Sequence, residues 1–119
     1  MEVNHYKQRE VLDVEFHIPN GGILRHPVIV ISRNDVNKQD KSFIGVMMSG
    51  STEFDDQFRF PLEDDMFDVP TTKICAVRCH LIATIEHRKV KKSIGKMKKK
   101  PFLKLLEQIN KVVFSFEEP

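Results

Sequence analysis

The sequence predicts a small, mainly β domain, an antiparallel barrel or strongly curled sheet with helices at its C-terminal end. Three observations lead there. Short alternating or β-branched runs follow one another as far as residue 85, separated by tight polar turns. The apolar spacing then changes period, and the last apolar stretch repeats at helical intervals. Nothing resembles the strand–helix–strand crossovers that build a parallel sheet.

Taken in order, residues 11–18 set Val14, Phe16 and Ile18 on one side and Asp13 and Glu15 on the other, a half-buried strand. Pro19-Asn20-Gly21-Gly22 breaks it. Residues 27–32, PVIVIS, are dense in β-branched side chains and read as a central strand buried on both faces. Residues 33–41 are a polar connection, and 42–48, SFIGVMM, form a further strand ended by Ser49-Gly50-Ser51. Gln57 to Leu62 is a short strand edged by Pro61. An acidic loop over 63–72 follows, and 73–85 give one long or two short strands. Val90, Ile94 and Met97 then fall four and three apart, the apolar side of a short helix with basic flanks. Pro101 is suited to the first turn of a final helix. Phe102, Leu103, Leu105, Leu106, Ile109, Val112 and Val113 are that helix's apolar residues, a broad stripe.

A chain of 119 residues suits one domain, residues 1–119. At 40% hydrophobic and 30% charged it can close a modest core. No run of about 18 uncharged apolar residues offers a membrane helix. The N-terminal residues lack the apolar centre of a signal peptide, so the expected location is cytoplasmic. Cys75 and Cys79, four apart in one strand, lie about 13 Å apart, too far to bridge. They read as reduced core cysteines.

The net charge of +2 hides an uneven distribution. Residues 1–72 carry 7 basic and 13 acidic side chains, and residues 73–119 carry 12 and 4. The densest stretch, RKVKKSIGKMKKK at 88–100, holds eight basic side chains and no acidic one. Such a field attracts a polyanion such as nucleic acid. The acidic segment 53–68 either stays away from that ligand or mimics it.

The usual signatures of catalysis are missing. Gly21-Gly22 is a turn with no phosphate-loop lysine after it. His5, His17, His26, His80 and His87 share no ligand spacing, and no zinc-type cysteine pair or Gly-x-Ser-x-Gly elbow occurs. An active site here is expected to need no metal or cofactor and to use basic and hydroxyl side chains.

Residues 23–37, ILRHPVIVISRNDVN, carry an arginine, a proline, an apolar strand ending in serine, and an asparagine. In that order they resemble the signature of the MazF/PemK family of toxin endoribonucleases. EVLDVEF resembles the family's first strand, GVMMSGS the strand ending in its catalytic Thr/Ser, and Lys92 to Met97 the closing segment. The resemblance implies a small SH3-like antiparallel barrel with C-terminal helices, the MazF/PemK-like and CcdB-like fold. It also implies a homodimer with a groove for single-stranded RNA, a possible cognate antitoxin, and cleavage by the 2′-hydroxyl. Arg25 and Ser49 would be catalytic. His26, Ser51, Arg78, Lys89 and Lys92 would contact substrate.

Arg25's planar fork suits a phosphate gathering charge, and Ser49 can donate a hydrogen bond to a phosphate oxygen. His26, between arginine and proline, could exchange a proton near neutral pH or face away, because neighbours on a strand point oppositely. Two other readings stand beside this one: a non-catalytic nucleic-acid- or protein-binding module of the same fold, and a structural or regulatory protein whose basic stretch binds a protein or a membrane surface.

Overall fold

The computed structural model describes residues 5–17, 21–51, 53, 55–69 and 76–119. Six strands form one antiparallel sheet: β1 Glu10–His17, β2 Ile23–Val30, β3 Ser42–Ser49, β4 Arg59–Pro61, β5 Ala76–Glu86 and β6 Val90–Lys96, in the order β4-β5-β3-β2-β1-β6. Helix α1 (Asn34–Gln39) joins β2 to β3, and α2 (Lys99–Ile109) follows β6 and runs into a wider helical turn, Asn110–Phe114. The sheet is curled rather than closed. Its two edges meet through the segments after β4 and β6: Phe67 bridges Met97, the Asp68 N–H donates to the Lys96 carbonyl at 3.0 Å, and the Lys98 N–H donates to the Met66 carbonyl at 2.7 Å.

Both faces of the sheet bury apolar side chains, as strand alternation requires. Val11, Ile29, Val46, Met48, Val77 and Cys79 point to one face, and Phe102, Leu105 and Ile109 of α2 cover them. Each such buried side chain contributes about 1.5–3 kcal/mol of burial. Leu12, Val14, Val28, Val30, Phe43 and Ile85 form a second core on the opposite face.

Two expectations change, and one alternative is decided. The polar connection at 33–41 contains α1, closed around Asn37, which is fully buried. Residues 76–85 lie in one strand bulged near Arg78, where Met47 pairs with Arg78 but Val46 with Ile82; residues 73–75, Cys75 among them, lie outside the described residues. The short helix expected around Val90–Met97 is strand β6. A spacing of four suits either structure, and β1 has a free edge that β6 fills. Two register shifts against β1 let Val90 pack on one core and Ile94 on the other. A Cβ at Gly95 would lie 3.1 Å from Asp68 Oδ1, the acceptor of the Lys96 N–H, so a side chain there would press on that hydrogen bond. This leaves no amphipathic basic helix at 88–97 to lie on a membrane. Among the described residues no helix is long and apolar enough to cross one.

Candidate active site

Antiparallel pairing brings the start of β2, the end of β3 and the start of β5 to one end of the sheet. Arg25, His26, Ser49, Ser51 and Arg78 therefore gather there, although up to 53 positions separate them in sequence. Lys89 stands just before β6, and Lys92 is the β6 partner of Asp13.

Register then sorts them by face. Val28 pairs with Met47 at the end of the β2–β3 ladder, and alternation puts His26 and Ser49, each two residues further along its strand, on that same face. On its other side His26 pairs with Val14, part of the core away from α2. Ser49 pairs with Ala76 and Met47 with Arg78, so Ser49 and Arg78 share that face. Arg25 pairs with Glu15 and points to the other face. There its Nη2 lies 2.5 Å from Asp13 Oδ2, with the Arg25 side chain 55% exposed. Beside it Lys91 Nζ meets Glu15 at 3.3 Å. The sheet thus brings His26, Ser49 and Arg78 together and holds Arg25 against Asp13 across the strand.

The Ser49 face has local chemistry of its own. Ser49 Oγ accepts the Ser51 N–H at 3.1 Å, and Ser51 Oγ accepts the Glu53 N–H at 3.1 Å, so successive hydroxyls turn the chain away from β3. Arg78, 8% exposed, makes a two-pronged bond to Asp56 at 2.9 and 3.0 Å. This hydrogen bond holds the Asp56 carboxyl below its usual range. His26 Nδ1 lies 3.3 Å from the Pro27 carbonyl. Next to Arg78, on β5, burial pushes the Cys79 thiol up to about 11, which keeps it protonated and unreactive. Among the described residues no group of three or more His, Cys, Asp or Glu could hold a metal ion.

A family model for the PemK-like, MazF-like toxin of type II toxin–antitoxin systems matches residues 7–113. The chain belongs to that family. Within the PemK/MazF family its fold is shared at low identity. A mycobacterial endoribonuclease in complex with its cognate antitoxin superposes with TM-score 0.73 at 12% identity, over 95% of this chain and 99% of that one. A MazE–MazF complex from Deinococcus radiodurans gives 0.74 at 12%, over 93% and 98%. The Mycobacterium tuberculosis toxin MazF-mt6 gives 0.67 at 16%, over 87% and 94%. No curated protein sequence matches the chain.

Two residues of the candidate site, Arg59 and Asp56, escaped the reading of the sequence. Arg59 is the cross-strand partner of Arg78 and shares its face. Like charges so placed repel. Asp56 compensates one of them, and Arg59 has no carboxylate partner among the described residues. The signal lay in the alternation of QFRFP, where Arg59 separates Phe58 from Phe60. Only the pairing shows that it faces Arg78.

Proposed function

We propose that this chain is an endoribonuclease toxin that cleaves single-stranded RNA through attack of the 2′-hydroxyl on the adjoining phosphate, without a metal. The observation that carries the reading is the gathering of Ser49, His26, Arg78 and Arg59 on one face at one end of the sheet, in a chain of this toxin family. Arg78 and Arg59 set two guanidinium groups on the face of a hydroxyl donor, the chemistry a phosphodiester needs as charge builds on its oxygens. Ser49 donates to a phosphate oxygen. Arg25, exposed on the other face at the same end of the sheet, binds the RNA backbone there by exchanging Asp13 for a phosphate. Ser51, Lys89 and Lys92 hold flanking phosphates. The working form is a cytoplasmic homodimer held in check by a cognate antitoxin, as one mycobacterial relative is found with its own.

The test is cleavage of varied RNAs in EDTA by the parent chain, Ser49→Ala and Arg25→Ala. Cleavage leaving a 2′,3′-cyclic phosphate and a 5′-hydroxyl is expected, reduced about 10- to 100-fold by Ser49→Ala, the worth of one hydrogen bond to a charged group. No cleavage by the parent rejects the reading, and equal cleavage by Arg25→Ala removes Arg25 from the site. The Asp13–Arg25 ion pair favours a second reading, an RNA- or protein-binding module without catalysis. RNA binding by the parent with no cleavage would select it.

A further inference from the structure

We infer that the turn at residues 56–59 is a built-in cover over Arg78, with the Asp56 carboxylate in the place of an RNA phosphate, so that RNA must displace Asp56 to engage that arginine. This rests on the nuclease reading above and adds to it a restraint carried by the chain itself.

The first observation is occupancy. Asp56 meets Arg78 with both carboxylate oxygens, at 2.9 and 3.0 Å. The planar fork that takes a carboxylate in this way takes two phosphate oxygens in the same way. The Arg78 side chain is 8% exposed and that of Asp56 is 42% exposed. The guanidinium is covered, and a phosphate reaches it only when the cover moves.

The second observation is that the cover is one short piece of chain. Asp56 Oδ1 also accepts the Phe58 N–H at 3.0 Å, and the Asp56 carbonyl accepts the Arg59 N–H at 3.2 Å, so the carboxylate is presented by its own turn. Upstream, the Ser49 and Ser51 hydroxyls accept the N–H groups of Ser51 and Glu53. The segment that leaves Ser49 thus carries Glu53, Asp55 and Asp56 toward the arginines.

The third observation is how lightly the cover is attached. It leads into β4, three residues long, outermost in the sheet and ended by Pro61. That strand sets Arg59 opposite Arg78, a repulsive pair which Asp56 offsets. The other ties are few. The Phe58 carbonyl accepts the Cys79 N–H at 2.8 Å, the Phe58 ring lies 4.5 Å from that of His80, and Gln108 Nε2 of α2 donates to the Gln57 carbonyl at 3.0 Å. A short edge strand with exposed hydrogen bonds belongs to the part of a fold that opens first. Apparent affinity for RNA is then lowered by the fraction of molecules that stay closed.

The experiment compares the parent with Asp56→Asn, Gln108→Ala and Asp55→Asn, each checked by thermal unfolding. Asp56→Asn removes the contact, Gln108→Ala loosens the turn without changing charge, and Asp55→Asn removes one neighbouring exposed charge and leaves the contact. Three quantities are read: the rate at which phenylglyoxal modifies Arg78, located by peptide mass; Kd for a single-stranded 2′-fluoro RNA, which lacks the attacking hydroxyl; and kcat/KM on the unmodified RNA in EDTA. Asp56→Asn is expected to speed Arg78 modification and to tighten RNA binding about 5- to 20-fold, Gln108→Ala about 2- to 5-fold, with kcat/KM rising in step. Asp55→Asn is expected to gain less than Asp56→Asn and to leave Arg78 protected. Weaker RNA binding by Asp56→Asn overturns the inference and makes Asp56 the residue that positions Arg78. Equal gains from the two aspartate variants, with Gln108→Ala at the parental value, also overturn it and reduce the effect to charge. Should Asp56→Asn not fold, Gln108→Ala decides, and parental values in all three measurements overturn the inference while the nuclease reading stands. A parent that neither binds nor cleaves RNA overturns that reading and this inference with it.

Discussion

His87 stands between two rings of the core away from α2, 5.3 Å from Tyr6 edge-on and 6.1 Å from Phe43 nearly stacked. Burial lowers its pKa from the ordinary 6.5, against a smaller opposing effect from the Ser42 backbone. The unfolded imidazole therefore takes up its proton first as pH falls. Stability is complete above about 6.5 and is lost as pH drops from there toward the lower folded value. His87→Phe keeps the stacking and removes the titration. Its urea midpoint is expected to change less between pH 7 and pH 5 than the parent's, and equal slopes for the two proteins would show that His87 does not set this dependence. Asp56 acts in a lower window. Its carboxyl is held down by the Arg78 hydrogen bond, so the stability it adds is present above its unfolded value and lost as pH falls through the folded one.

At the scale of elements, the connection from β2 through α1 to β3 is tied by one asparagine. Asn37 donates from Nδ2 to the Tyr6 carbonyl at 2.9 Å and to the Ser32 carbonyl at 3.3 Å, and its Oδ1 accepts from Ser32 Oγ. Ser32 Oγ in turn accepts the Ile44 N–H at 2.8 Å. The serine and asparagine that mark the motif in sequence thus lock the fold and lie apart from the candidate site. Asn37→Ala leaves these groups unpaired in a dry setting and is expected to cost about 1–3 kcal/mol in denaturant titration; an unchanged midpoint would mean water replaces the amide. The strands were legible because alternation and β-branching mark them directly, as in PVIVIS. Strand β6 was not, since Val90 and Ile94 are four apart in either period and only the free edge of β1 decides between them. The shared position of the candidate residues was legible: Arg25, His26, Ser49 and Arg78 do reach one end of the sheet. Its facing was not legible. A shift of one residue exchanges Arg25 for His26 on the face that carries Ser49, and that choice is fixed by the register of strands paired across the sheet.

Over the whole molecule, the basic run turns out to be an edge strand and the entry to a helix. Two of its eight cations are engaged, Arg88 by Glu86 at 2.7 Å and Lys91 by Glu15 at 3.3 Å. The other six, Lys89, Lys92, Lys96, Lys98, Lys99 and Lys100, have no carboxylate partner among the described residues. Lysines on an exposed edge also discourage pairing with another sheet, a structural use that needs no ligand. Lys98, Lys99 and Lys100 differ, because they crowd the N-terminus of α2, where positive charge opposes the helix dipole by about 0.3–1 kcal/mol each. A polyanion lying across that helix end would reverse the sign of this repulsion, whereas a merely protective role would leave it uncompensated. Each single-strand phosphate neutralised contributes about −0.7 to the slope of log K against log salt. With Ser49→Ala as a background that limits cleavage during the measurement, replacing Lys98, Lys99 and Lys100 by Gln is expected to make the RNA-binding slope shallower by about 2 and to raise thermal stability slightly. A triple variant more stable than its parent, yet with the parental slope, would assign these lysines to the surface alone and direct the RNA toward Lys89 and Lys92.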